Sequence, residues 1–373
     1  MRAWSRRTSS PSGRPVLITG GAGFIGTNLA DRLARNGRSV IIYDNLSRPG
    51  VERNISWLKH EHGDRIRLEV ADIRDDEHLS SAVRRVGQVF HFAAQVAVTT
   101  SLVDPTDDFT VNAGGTLKLL EAIRACSEPP SLVFTSTNKV YGELGDFRVR
   151  EDDSRYVPAG QGAVDESCPL DFHSPYGCSK GAADQYVLDY SRSFGLLTAV
   201  FRMSCIYGPH QCGTEDQGWV AHFLIRALKG EPITIFGNGK QVRDILFVED
   251  LVDALLTAHA NIKSLAGRAF NIGGGLGKTV SLLELIELIE VLEKHPVQVT
   301  FGPWRTGDQR YYVSDHQAFT GATGWMPRVK VAQGVACLRS WLLQNATPAV
   351  RVARNGPARA PAEILAGSAA GAR

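Results

Sequence analysis

The sequence predicts an α/β fold: a doubly wound parallel sheet with a smaller C-terminal lobe. Three observations carry this expectation. Short apolar runs rich in β-formers alternate with helical segments from Pro15 to Arg202, and such alternation means parallel strands joined by right-handed crossovers. A glycine-rich turn, Gly20-Gly21-Ala22-Gly23-Phe24-Ile25-Gly26, separates the first strand from the first helix. Beyond about Ser204 the alternation loosens into polar and aromatic loops and Gly-rich turns, as a second unit would.

The elements follow in order. Pro15 to Thr19 reads as a buried strand, and Ile25, Leu29 and Leu33 form one helical stripe that Gly37 ends. Further strands are expected at Ser39–Tyr43, Ile66–Val70, Val89–Phe92, Leu132–Thr135 and Leu197–Arg202. Helices are expected around Glu77–Val86, Ala113–Ala125 and Tyr176–Ser193. In the second unit the pattern gives a helix at Val220–Lys229 and a strand at Ile233–Phe236. A late helix over Ser281–Glu293 carries Leu282, Leu285, Ile286 and Ile289 on one face. The expected organisation is a leader at 1–14, a first domain at 15–203, a lobe at 204–346 from which the chain crosses back to the first, and a disordered Ala/Arg/Pro/Gly-rich tail at 347–373.

Composition narrows the function classes. The 373 residues are 43 % hydrophobic and 21 % charged, enough apolar material for a core. Lys and Arg total 41 against 39 Asp and Glu. That balance argues against a nucleic-acid or anionic-membrane binder, which needs a concentrated basic face. No apolar run is long enough to span a bilayer, and Arg6-Arg7 lacks the apolar stretch an export signal needs. A cytoplasmic protein is expected. The six cysteines form no Cys-x-x-Cys pair and no His cluster accompanies them, so reduced thiols and no metal site are expected.

The glycine turn points to a cofactor. Glycines at 20, 23 and 26 permit a tight turn, close approach of a pyrophosphate and close helix–strand packing, and the helix N-terminus offers free N–H groups to phosphates. Asp44 ends the second strand, where a carboxylate accepts both ribose hydroxyls. The same acid repels a 2′-phosphate, which favours NAD over NADP. Arg48 is the counter-indication, since a guanidinium can serve a phosphate or simply face water. Asp72 and Ile73, after the third strand, belong near the adenine, with a helix cap as the alternative for Asp72.

Tyr176 and Lys180 supply the chemistry. Ser174 and Pro175 start a helix there, and the i, i+4 spacing puts phenol and ammonium on one face. Tyrosine with a pKa of about 10 is a poor base at neutral pH. A cation at ~5 Å with an effective dielectric of ~20 contributes about 3 kcal/mol toward ionising it. Thr137 closes the fifth strand at the carboxyl edge of the sheet, where its hydroxyl can hold the reacting oxygen.

These residues sit in TGGAGFIG, YDN, HFAAQ, VNAGGT, STNKVYG, SPYGCSKGAADQ, RMSCIYGP and GKQVRDILFVEDL. In these motifs the sequence resembles the extended short-chain dehydrogenase/reductase family over nearly the whole body. The resemblance implies a two-lobed Rossmann fold, bound NAD, a nucleotide-diphospho-sugar substrate, a homodimer and a Thr137–Tyr176–Lys180 triad. It assigns cofactor contacts to Gly20, Gly23, Phe24, Ile25, Gly26, Asp44, Asn45, Asp72, Ile73, Ala93, Ala94, Gln95, Asn112, Tyr176 and Lys180. It assigns diphosphate contacts to Arg243 and Arg305 and a ribose contact to Asp308. Thr137, Cys205, His210, Gln211 and Gln217 are the remaining substrate candidates. Cys205 departs from an Asn common in relatives, and His210 serves equally well as a structural loop residue.

Dehydratases of this family carry an Asp-Glu pair where this chain has Asn138 and Lys139. Neither replaces those carboxyls, so loss of water is disfavoured. STNKVYG with PLDFHSPYGCSKGAADQYVLDY and GPHQCGTEDQGWVAHF resembles the CDP-paratose 2-epimerases. That resemblance implies an isomerase inverting C2 of a CDP-hexose through a 2-keto sugar. A 4-epimerase or another enzyme of the same fold, and a non-catalytic NAD-binding sensor, stand as alternatives.

Overall fold

The structure, a computed structural model, describes residues 13–144, 147–160, 162–305 and 308–345. Most of the expected leader and all of the expected tail lie outside the described residues.

Val16–Thr19 is wholly buried and pairs in parallel with Val40–Asp44 on one side and Gln88–His91 on the other. Ile66–Val70 extends the sheet beyond the second strand. Ser131–Thr137, Thr198–Met203 and Arg268–Ile272 extend it beyond the fourth, giving seven parallel strands. The winding direction reverses between Val16–Thr19 and Gln88–His91, and a crevice opens there at the carboxyl ends. Alternation along each strand feeds two cores. Ile18, Ile42 and Phe201 meet Leu29 and Leu33 on one face, while Leu17, Ile41 and Val200 meet Leu79, Leu119 and Val187 on the other.

The expected Rossmann-type sheet is present, and the structure adds elements to it. A helix at Val51–His62 packs against the first helix through Ile55 and Leu58. The expected Ala113–Ala125 helix divides into a π turn at Thr110–Gly114 and an α-helix at Gly115–Arg124. After Met203 the chain enters the smaller lobe, then returns through the helix Val248–Ala260 and the strand Arg268–Ile272. That strand is short and carries a buried polar residue, Asn271, so its pattern is diluted.

The smaller lobe centres on Val242–Phe247, paired with Cys205–Tyr207, Thr279–Ser281 and Tyr311–Tyr312. Its core gathers Phe223, Leu224, Ile233, Leu285, Ile289 and Leu338. The late helix runs Leu282–Glu293, with Ser281 outside it as cap: Ser281 and Glu284 form a reciprocal capping box.

Beneath the crevice, Arg202 makes two 3.0 Å bonds to Asp184 and donates to the Tyr141 hydroxyl at 3.1 Å, which donates in turn to Asn271 at 2.7 Å. This network ties the helix Ser174–Phe194 to the last two strands of the sheet. Arg202 and Asp184 are both buried, so removing one charge strands the other. Arg202→Met is expected to cost about 3–5 kcal/mol, and Arg202→Met with Asp184→Leu far less than two single losses combined. Urea unfolding of the two proteins checks this; a negligible loss from the single variant contradicts it.

Candidate active site

The crevice holds a cavity of about 470 Å³ between the glycine turn, the second and third strand ends and the loop after the fourth strand. Gly20, Gly23, Phe24, Ile25, Gly26, Asp44, Asn45, Asp72, Ile73, Ala93, Ala94 and Gln95 all line it. Gly20 has φ of 69°, and a Cβ there would stand 2.6 Å from the Ala93 nitrogen. A Cβ on Gly26 would stand 2.5 Å from the Gly21 Cα, so only glycine lets this helix lie against the turn. The helix Phe24–Arg35 begins at Gly23 with no side-chain cap. Its first N–H groups therefore face the cavity without a side-chain acceptor, which suits a diphosphate.

Asp44 accepts from the Ala22 amide at 3.0 Å and the Leu46 amide at 2.9 Å. Burial raises its pKa against these two bonds. The carboxylate stands at the cavity wall, fitted to ribose hydroxyls. Asp72 is held by Arg74 at 2.8 Å and Asn45 at 3.0 Å, and Arg74 keeps its carboxyl low. The helix cap weighed for Asp72 falls instead to Asp75, which accepts from the His78 amide. The glycine cradle, the uncapped helix and Asp44 together fit NAD.

Asn112 requires a correction. Expected at the cofactor, it is buried on protein partners: it accepts from the Gln95 amide and donates to the Gln95 carbonyl, Asp108 and Ser179. Its π turn makes room for this clamp, which fixes the cavity-lining loop 93–97.

Thr137 Oγ1 donates to Asn138 Oδ1 at 3.4 Å and stands close enough to the Tyr176 phenol to favour its ionised form. Ser174 opens the helix Ser174–Phe194 with φ of 63°, and its hydroxyl accepts from the Gly177 amide. Ser101 accepts from the Tyr176 amide at 3.2 Å. Lys180 donates to the Thr135 carbonyl at 2.7 Å and lies 4.2 Å from the centre of the Phe134 ring. The electrostatics depart from the expected simple activation. Burial pushes Tyr176 up to about 12 against Thr137, and pulls Lys180 down to about 7 against Asp184 and Asp108. Desolvation outweighs pairing at both groups.

The smaller lobe closes the far side. Arg243 donates to Asp308 at 2.7 Å and to the Gln309 carbonyl at 2.6 Å. Arg305 lies 3.9 Å from the Phe236 ring centre and donates to Glu215. Cys205 accepts from the Trp219 indole at 3.4 Å and is half-buried, within electrostatic range of Arg243 and Lys139. Gln217 lines the cofactor cavity, where its side-chain oxygen accepts from Arg48. Arg48 thus crosses the cavity mouth within range of Asp44 and Tyr176, a placement the sequence left open.

Among the described residues Gln217 is the one substrate candidate that lines this cavity, and His210 and Gln211 are held by protein partners. The His210 ring packs between Trp57 at 4.3 Å and Trp341 at 5.0 Å and meets Asn54, and burial pulls its pKa down to about 4. It is a structural loop residue. Gln211 donates to the Ile206 carbonyl and packs under Gly218. Sequence reasoning also missed a second cavity of about 280 Å³, lined by Val98, Leu102, Lys139, Gly142, Glu143, His173 and Ser174. No local pattern joins segments so distant in the chain.

Comparisons with known proteins agree with this geometry. The family model described as "NAD dependent epimerase/dehydratase family" matches residues 16–273. The chain is 45 % identical to CDP-paratose 2-epimerase of Salmonella typhi, over 87 % of this chain and 98 % of that protein. It is 33 % identical to UDP-glucose 4-epimerase of Mycolicibacterium smegmatis, over 86 % and 96 %. Among solved structures, the UDP-glucose 4-epimerase of Thermus thermophilus in complex with NAD superposes with a TM-score of 0.76 at 32 % identity, covering 89 % of this chain and all of that one.

Gly20→Ala is expected to weaken NAD binding at least tenfold, because its Cβ meets backbone that cannot yield. Gly37 also has positive φ, 78°, but open space around it. Gly37→Ala should cost stability by about 1 kcal/mol and leave NAD affinity unchanged. Calorimetric titration of the cofactor-stripped proteins distinguishes the two; equal NAD affinities contradict the cradle.

Proposed function

The chain belongs to the NAD dependent epimerase/dehydratase family, and from that membership we propose that it is an isomerase inverting C2 of a CDP-linked hexose. The carrying observation is Thr137 beside Tyr176, with Lys180 one helical turn further on, and Asn138 and Lys139 where a dehydratase would need carboxylates. The 45 % identity to a CDP-paratose 2-epimerase supports the CDP-sugar and the C2 position.

Tyr176, as phenolate, accepts the proton of the C2 hydroxyl. The Thr137 hydroxyl donates to that oxygen and holds it while it becomes a carbonyl. NAD, which the glycine turn and Asp44 would hold, would supply the hydride chemistry at C2. The 2-keto sugar then turns its other face, and Tyr176 returns the proton to the oxygen. Lys180, anchored on the Thr135 carbonyl one helical turn after Tyr176, supplies positive charge to the phenolate while it is protonated. With no carboxylate at 138 or 139, no base stands ready at those positions to take a carbon-bound proton for elimination.

On this reading the enzyme acts as a cytoplasmic homodimer. Exposed Leu102, Val103, Phe109 and Phe194 on helices around Ser174–Phe194 support an apolar contact face. A monomeric mass in light scattering would argue against it.

CDP-paratose and CDP-glucose, incubated in deuterated water without added NAD, are expected to give isomers of unchanged mass and no lasting NADH absorbance. Solvent deuterium at C2 would sink the hydride route; conversion of UDP-glucose alone would favour a 4-epimerase. Because Tyr176 sits above neutrality and works deprotonated, kcat/KM should rise with pH through the neutral range and level once the phenol is ionised in the loaded enzyme. Tyr176→Phe should lose at least ~100-fold in kcat while retaining NAD. A flat pH profile, or an active Phe variant, removes Tyr176 from this role.

A further inference from the structure

Residues 209–218 run along the seam between the two lobes, and their contacts change character along it. The inner end is packed. Asn28 donates to the Pro209 carbonyl at 2.9 Å, and buried His210 meets Asn54 and stacks on Trp57. Next, Cys212 lies against Gly50, where an added Cβ would stand 3.3 Å from its Sγ. The outer end is a tight turn. The Thr214 amide donates to the Gln217 carbonyl at 2.8 Å, and the Gln217 amide donates back to the Thr214 carbonyl at 3.2 Å. These reciprocal bonds make Thr214 to Gln217 one rigid piece. Gly218, at φ of 76°, turns the chain from it into the helix Trp219–Lys229.

The turn is held from both lobes. Arg305 donates to the Glu215 carbonyl at 3.1 Å and to its carboxylate at 3.0 Å. Arg48, from the loop after Asp44, donates to the Gln217 side-chain oxygen. Of the seam contacts named here, this last one alone joins two residues that both line the cofactor cavity. Arg48 is exposed and Gln217 half-buried, so their bond lies where that cavity meets solvent. A bond between guanidinium and amide is stronger than one between neutral groups, yet at an exposed place it opens without disturbing either core. The packed His210 end has no such freedom.

We propose that the Thr214–Gln217 turn is a cofactor latch: by accepting from Arg48 across the cavity mouth, Gln217 slows the release of NAD. The latch requires only that NAD occupies the cavity. Its use rests on the function proposed above, since an enzyme that returns the hydride to the same sugar works best when one cofactor stays through many turnovers.

Release is measured on the NADH-loaded enzyme by the loss of bound-NADH fluorescence after mixing with excess NAD. Arg48→Met and Gln217→Leu are each expected to release NADH roughly 10- to 100-fold faster than the wild type. The double variant should exceed the faster single by no more than about twofold, because either substitution already opens the latch. Gln217→Glu keeps an acceptor for Arg48 and should release NADH no faster than the wild type. Unchanged release in both single variants overturns the proposal. Faster release from Arg48→Met alone assigns a direct contact with the cofactor and overturns it, as do multiplying effects in the double variant. Faster release that Gln217→Glu shares, with a lowered melting temperature in the cofactor-free variants, assigns the residues to lobe packing and overturns it too. A wild type that isomerises no nucleotide sugar yet shows the expected release pattern sinks the epimerase and leaves the latch standing.

Discussion

On the proposed mechanism, a phenol has to lose its proton where burial opposes any anion. Tyr176 stands at about 12 for that reason, and its neighbour Lys180 is drawn toward neutrality by the same loss of water. Keeping the phenolate at pH 7 then costs about 7 kcal/mol. A cation at ~5 Å and an effective dielectric of ~20 returns about 3 kcal/mol. Lys180 alone leaves a deficit; a second positive charge in the crevice brings the sum to within about 1 kcal/mol of balance. On the proposed mechanism the pair would need the cofactor's charge, which would tie proton removal to the presence of a hydride acceptor.

Every other feature of the crevice serves that juxtaposition. The reversal of winding between Val16–Thr19 and Gln88–His91 opens space at the strand ends. Asn112 clamps the loop 93–97 through Gln95, so the cavity wall does not depend on the ligand for its shape. The segment after Tyr207 spans the two lobes. Pro209 accepts from Asn28 on the first helix, His210 packs between Trp57 and Trp341, and Gln217 accepts from Arg48. A site shared by two lobes is held together by contacts that none of its catalytic residues makes.

Much of the fold was legible because its signals are local. A parallel strand buried on both faces reads as an apolar run, as five of the first six strands did; the edge strand Ile66–Val70 reads through Ile66, Leu68 and Val70. Arg268–Ile272 escaped because Asn271 occupies a core position, and its polarity is tolerable only where Tyr141 donates to its side-chain oxygen and the Val164 carbonyl accepts from its amide. The helix Val51–His62 escaped because buried Val51, Ile55 and Leu58 are outnumbered by charged residues. His210 shows the opposite failure. A histidine in a polar loop looks available for binding, and only Trp57 and Trp341, distant in the chain, show that its ring is used for packing.

The amino-acid order alone determined the parallel sheet, the glycine cradle, the ribose acid and the Thr–Tyr–Lys set. Each is specified within one strand–turn–helix unit, by backbone sterics or by helical spacing. Tertiary structure decided what those groups experience. It set the desolvation of Tyr176 and Lys180, packed Asn112 and His210 against protein partners, and brought Arg48 to Gln217. The reason is physical: water exclusion and Coulomb interaction depend on distance through space, and sequence separation does not encode that distance.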